Sequence, residues 1–195
     1  MTVFSKRVAA DVDNGYHRED TDVFDATLIN NIFFGELSTA VGAFMNGFAR
    51  FTNVTIPKNS TINSAKMVLT ASAADSADTV NVRIYMNDSD DAIAPTTKEG
   101  FNALVLTTAF TNWYFTTNWV TDTEYDSGDF TNAVQEVVNR LGWASGNAMS
   151  VVWHDVTSND DAERLAYAYT GDNAKCPELV IDYTEPSGQG FTCIF

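Results

Sequence analysis

The clearest pattern along the chain is an alternation of apolar and polar residues between positions 79 and 87. The alternating residues are, in order, Val80, Asn81, Val82, Arg83, Ile84, Tyr85 and Met86. A period of two is typical of a β-strand with one face in the core and the other toward water. We therefore predict a strand here, with Arg83 and Tyr85 on its polar face.

Shorter segments of similar character recur along the chain. Apolar or alternating runs predict further strands within 23–35, 43–54, 61–71, 114–121, 148–154, 164–170 and 179–184. Turn-forming residues, such as Asn14-Gly15 and the stretch after Pro57, lie between them. About eight to ten short strands at this spacing predict an all-β protein, a β-sandwich of the jelly-roll type.

One segment has the spacing of a helix instead. Between 129 and 141 apolar residues recur three or four positions apart; they are Phe130, Val134, Val137, Val138 and Leu141. Asp129 is suited to cap the first turn, and Gly142 can end the helix in a left-handed conformation. We predict one short helix over 129–141 that covers an open end of the sandwich. Residues 97–103 are also compatible with a short helix.

The length of 195 residues indicates a single domain, which we place at 1–185. Residues 186–195 then form a C-terminal tail with an apolar end that contains Phe191, Ile194 and Phe195. An apolar tail left free in water would be unfavourable. We therefore expect this tail to dock on the chain itself or on a neighbouring subunit.

The charge balance excludes several classes of partner. The formal net charge is −15, from 26 acidic and 11 basic residues, so no basic surface is available for nucleic acid. No run of 18 apolar residues predicts a membrane span. The first eight residues have no apolar stretch of signal-peptide length. We expect a virion or another extracellular particle surface as the location, with secretion as the alternative.

The acidic residues include one candidate for a metal site. Asp11 and Asp13, in the run Asp-Val-Asp-Asn-Gly, are spaced like the opening of an oxygen-rich calcium loop. Calcium is therefore the predicted cofactor, in a structural role, and the alternative is a set of solvated acidic turns. The two cysteines, Cys176 and Cys193, could form a disulfide or remain free thiols.

No motif indicates catalysis. The two histidines, His17 and His154, stand outside any nucleophile-elbow sequence, and the chain has neither a glycine-rich phosphate loop nor zinc-ligand spacing. Abundant carboxylates single out no acid–base pair, since any two could be nominated. We therefore predict that the protein is not an enzyme.

Aromatic residues supply candidates for sugar stacking. Trp113, Tyr114 and Tyr125 are the ones that could lie on the surface and stack on a glycan. Trp119 and Trp153 lie in apolar strand segments, so we expect them in the core. Trp143 follows the predicted helix, and we expect it to pack at the end of the sandwich.

Several short motifs, in a particular order, resemble a known family. They are Gly15-Tyr16, Val41-Gly42, Arg50-Phe51, Ile56-Pro57, Ile62 with Ser64-Ala65, Gln135-Glu136-Val137-Val138 with Trp143, Ser145-Gly146-Asn147, Pro177-Glu178-Leu179 and Tyr183-Thr184. From 11 to 184 the chain resembles jelly-roll β-sandwiches related to carbohydrate-binding modules, including the modules named for a DNRLRE motif. This resemblance implies a non-catalytic surface domain, of a kind found on secreted polysaccharide-acting proteins and on phage virion proteins.

These observations give two hypotheses for function. The first is a non-enzymatic virion structural protein, such as a capsid decoration protein, head fibre or tail accessory component. It would form homo-oligomers and adhere to other virion proteins or to copies of itself through complementary surfaces and its tail. The alternative is a carbohydrate-binding module of an extracellular system, with surface glycans as partners.

Overall fold

In a computed structural model, which describes residues 1–37, 42–74 and 78–187, two antiparallel β-sheets pack face to face. This β-sandwich confirms the predicted all-β fold class. The described residues contain twelve strands, a few more than predicted. The strands are β1 Thr2–Arg7, β2 Asn14–Arg18, β3 Val23–Asp25, β4 Asn31–Glu36, β5 Phe44–Phe51, β6 Thr61–Thr70, β7 Val80–Met86, β8 Thr111–Phe115, β9 Glu124–Asp126, β10 Met149–Asp155, β11 Glu163–Tyr167 and β12 Glu178–Thr184.

The two sheets differ in size. The smaller sheet has the strand order β1-β12-β6-β9, and the larger sheet has the order β11-β4-β5-β10-β7-β8. One edge of β5 pairs with β4 at Phe44–Met45 and with β10 at Gly47–Phe51. Its other edge pairs with β2 at Met45–Ala49, and β3 extends the sheet beyond β2. The larger sheet therefore forks where β4 and β10 take successive parts of one strand edge.

The inner faces of the sheets supply the main hydrophobic core. The predicted alternation in β7 is confirmed, because its apolar set is fully buried while Asn81, Arg83 and Tyr85 lie on the opposite, outer face. Trp119, Trp143 and Trp153 are all buried in this core, as predicted. Burial of such large side chains contributes on the order of 2–3 kcal/mol each by area, so the core alone accounts for much of the stability.

The covering helix is shorter than predicted. Helix α2 spans Thr131–Val138, and its buried side chains pack toward the smaller sheet at β6. The N-cap residue is Phe130 and not Asp129, and it makes no side-chain cap hydrogen bond. The Asp129 carboxylate, one residue earlier, still accepts the backbone N–H of Thr131 at 2.8 Å. Leu141 lies beyond the helix and is 94% exposed, which corrects its place in the apolar stripe. Gly142 does not take the left-handed conformation; a side chain there would overlap the carboxylate of Asp90.

A second helix lies on the outer side of the larger sheet. Helix α1 spans Lys98–Asn102 within the predicted 97–103 segment, and the Thr97 hydroxyl caps it by accepting the N–H of Gly100. Phe101 packs on the outward side chains of Phe48 and Val152, which makes a small second apolar cluster. Part of the outer face is thereby covered. Within the described ranges, no helix has the length and apolar character needed to cross a membrane.

Candidate functional site

The three aromatic residues proposed for sugar stacking take different positions. Tyr114 lies on the outer face of β8 and is 64% exposed, whereas its neighbour Trp113 points into the core and is 8% exposed. Tyr125 is half-buried and stacks on Trp119 with ring centroids 4.8 Å apart at 4°. Its hydroxyl accepts the backbone N–H of Val120. The three rings therefore share no surface, and the interior position of Trp113 differs from the expected one.

Tyr114 belongs instead to a strip of outward side chains on β7 and β8 and on the residue just before β8. We call this set the open strip; it consists of Asn81, Arg83, Tyr85, Phe110, Asn112 and Tyr114. The antiparallel register places Tyr114 opposite Asn81 and Asn112 opposite Arg83, so these side chains are direct cross-strand neighbours. Because β8 is the last strand on this side of the sheet, the strip lies along an edge.

Contacts within the open strip hold its polar side chains next to its aromatic rings. Arg83 lies over the Phe110 ring at 4.9 Å and donates from Nε to Oδ1 of Asn112 at 3.1 Å. Phe110 is in ring contact with Tyr85 at 5.4 Å. These contacts hold the guanidinium of Arg83 beside Phe110 and Asn112 and restrict its rotamers. The strip is thus an ordered surface with exposed rings at Phe110 and Tyr114.

The strip ends where the α1 segment covers the sheet. Tyr85 also contacts the ring of His154, which in turn contacts Phe101 of α1. Burial beneath this segment lowers the pKa of His154, which favours the neutral imidazole at physiological pH. His17 contacts Phe101 as well and is hydrogen-bonded to Asp22 at 3.3 Å. These groups support the covering segment and lie beside the open strip.

The candidate calcium ligands make hydrogen bonds to the protein. Asp11 accepts the N–H of Leu28 and the hydroxyl of Thr170, at 2.7 and 2.5 Å. Asp13 is buried and accepts from Arg50 Nη1 at 2.6 Å. Among the described residues no group of three or more His, Cys, Asp or Glu side chains is placed to hold a metal ion. Calcium binding by Asp11 and Asp13 stays a prediction.

The proposed assembly residues Phe191, Ile194 and Phe195 lie outside the described residues, as do Cys193 and part of the Val41-Gly42 motif. Cys176 is described and is buried. Burial raises the pKa of its thiol to about 11, so the reactive thiolate form is disfavoured at neutral pH. Docking of the tail therefore stays a prediction.

Sequence reasoning found one member of the open strip, Tyr114, as a candidate and missed its neighbours. A signal for them existed, because the alternation in β7 already placed Asn81, Arg83 and Tyr85 on one polar face. The missing information was the pairing of β7 with β8, which brings Asn112 and Tyr114 alongside that face.

Comparison with known proteins gives one structural likeness to describe. No family model matches the chain, and no curated protein matches it. Among solved structures, the chain is similar to an X-ray structure of the carbohydrate-binding module CBM28, described as specific for non-crystalline cellulose. The sequence identity is 12%, the TM-score is 0.31, and the match covers 81% of this chain and 73% of that one.

Proposed function

We propose that this protein is a non-enzymatic carbohydrate-binding protein that uses the open strip as its binding surface. The observation that carries the proposal is the exposed ring of Tyr114. It lies beside the amide of Asn81 and the guanidinium of Arg83 on the adjacent strand, and two residues from the amide of Asn112 on its own strand. Sugar rings present apolar C–H faces and equatorial hydroxyls, so they pair well with an aromatic face flanked by amide and guanidinium donors.

The dimensions of the strip suit an extended ligand. Phe110 and Tyr114 lie four positions apart on one side of the chain, which corresponds to roughly 13 Å along a strand. Asn112 and Arg83 lie between them. A short oligosaccharide laid along β8 would meet a ring near each end and hydrogen-bonding groups in the middle.

The composition of the strip supports binding without catalysis. Its six members include neither a carboxylate nor a histidine, and a glycosidase-like mechanism needs two carboxyl groups that flank the scissile bond. The nearest histidine, His154, has its pKa lowered by burial under the α1 segment, which favours the neutral form. The strip therefore offers recognition groups and no acid–base pair.

A glycan array followed by isothermal titration calorimetry tests this proposal. Wild-type protein should bind at least one glycan class, and Tyr114→Ala should weaken that binding. Val3→Ala is the matched control, because Val3 has the same 64% exposure but lies on β1 of the smaller sheet. Equal loss in both variants, or no glycan bound by the wild type, would contradict the proposal.

A second candidate function is assembly, the virion structural role raised by the sequence. The exposed apolar side chains Ile93 and Val105 favour it, since they line one open cleft of about 290 Å³. Exposed apolar patches commonly mark contacts between proteins. Light scattering would show oligomers that a double Ile93→Ser, Val105→Ser variant loses, and quantitative mass spectrometry would find the chain at a fixed ratio in purified particles. A monomeric protein absent from particles would argue against assembly.

A further inference from the structure

We propose that the fork of the larger sheet holds a second binding site, which takes a small organic cation of the alkylated ammonium type. This site lies apart from the open strip and does not depend on carbohydrate binding. We call it the fork groove; its lining consists of Tyr16, Asp25, Leu28, Ile29, Asn30, Asn31 and Phe33.

The groove follows from the topology of the sheet. Strand β4 leaves the edge of β5 where β10 takes over, and β2 pairs with the opposite edge of β5. The groove lies between the β2–β3 ribbon and the start of β4, where Tyr16 and Phe33 come into ring contact. The volume of the groove is about 240 Å³. Pockets for drug-sized ligands measure roughly 300–1,000 Å³, so this one suits a single compact group.

The walls of the groove include an aromatic corner. Tyr16 and Phe33 have ring centroids 5.0 Å apart and planes at 73°, so the edge of one ring meets the face of the other. Two rings at this angle present no flat platform for a stacked sugar. They do offer aromatic π-faces to a rounded cation, and aromatic faces attract ammonium groups through their quadrupoles.

The charge in the groove is negative. Asp25 pairs with Tyr16 across β2 and β3, and its Oδ1 accepts the N–H of Thr27 at 3.1 Å. Burial and the nearby Asp25 charge raise the pKa of Tyr16, whereas the Arg18 charge acts to lower it, so both charges reach the aromatic corner and that of Asp25 is the larger influence. The nearby Arg18 is engaged by two hydrogen bonds to Asp20, at 2.5 and 2.7 Å. A cation entering the groove would therefore meet the Asp25 carboxylate at close range, while the Arg18 charge is partly offset by Asp20.

At one rim of the groove, Leu28 has an unusual backbone conformation that is anchored by a hydrogen bond to Asp11. Leu28 has a φ of 55°, which is rare for a residue with a branched side chain, and it is 79% exposed. Its N–H donates to Asp11, which also binds the hydroxyl of Thr170. This anchoring holds an aliphatic side chain at the opening, where it can contact the alkyl groups of a ligand. Strained backbone of this kind clusters at ligand sites.

Choline and its uncharged isostere 3,3-dimethylbutan-1-ol have nearly the same shape. Comparing their affinities therefore isolates the contribution of the positive charge to binding. We would titrate both into isotopically labelled full-length protein and follow backbone amide shifts by NMR. Choline should shift the resonances of Tyr16, Asp25 and Phe33, and the isostere should bind at least tenfold more weakly. Asp25→Asn, which keeps the acceptor for Thr27, should weaken choline binding about tenfold, and Phe33→Leu should also weaken it.

Glu124→Gln serves as the charge-matched control, because it removes one acidic group from β9 of the smaller sheet. Equal binding of choline and its isostere would overturn the proposal, as would choline binding that survives Asp25→Asn. It would also fail if choline in large excess left the fork-groove resonances unmoved. Glycan binding by the open strip would be unaffected by any of these outcomes.

Discussion

Replacing Tyr114 with alanine gives the most quantitative prediction of the proposed function. An aromatic side chain presents about 200 Å² of surface, and 64% of Tyr114 is exposed, which leaves about 130 Å² available. A sugar stacked on one face would cover about half of that area, or ~65 Å². At ~25 cal/mol per Å² the lost burial costs about 1.6 kcal/mol, which weakens Kd about 15-fold.

Calorimetric titration of the best array glycan into wild type, Tyr114→Ala and Tyr114→Phe measures this change. The phenylalanine variant keeps the ring and should retain most of the affinity. Thermal melting of each variant controls for folding; loss of one exposed cross-strand side chain should cost at most about 1 kcal/mol. An unchanged Kd for a well-folded Tyr114→Ala protein would refute the assignment of Tyr114 as a stacking residue.

Four further predictions address stability and assembly. Gly47→Ala should lower the free energy of unfolding, measured by urea denaturation, by about 1–3 kcal/mol, because a Cβ there would overlap the buried indole of Trp153. The control Gly100→Ala should leave the free energy of unfolding unreduced, because α1 has room for a Cβ at that position. Leu28→Gly should raise that free energy by about 1 kcal/mol, since glycine accepts its positive φ, and a decrease would show that the conformation is unstrained. Deleting residues 188–195 should shift size-exclusion profiles toward the monomer at an unchanged melting temperature, and an unchanged oligomer would end the tail hypothesis. If calcium is a structural cofactor, EDTA should lower the melting temperature, whereas no shift would indicate that the acidic loops need no metal.

The fold was predictable from local patterns because strand periodicity is a local property. The alternation of β7 survives in the structure, since a half-buried strand requires opposite faces to differ in polarity. The end of helix α2 was less predictable. Leu141 falls on the helical spacing by position alone, but backbone hydrogen bonding of the helix ends near Asn139.

The binding surfaces depend on long-range pairing, which no local pattern reveals. Trp113 and Tyr114 are adjacent aromatic residues, and the local sequence pattern does not predict which of the two side chains faces the core. The pairing of β8 with β7 decides it by placing Tyr114 beside Asn81 on the outer face. The fork groove depends in the same way on long-range pairing, since β4 leaves the edge of β5 where β10 takes over and β2 lies on the opposite edge.

The most direct test of carbohydrate binding by the open strip is an NMR map of the bound glycan on isotopically labelled protein. The account predicts shift changes that cluster on β7 and β8, at Asn81, Arg83, Asn112 and Tyr114. Shifts confined to another face of the sandwich, or no shifts with any glycan from the array, would contradict the claim that this strip is the binding surface.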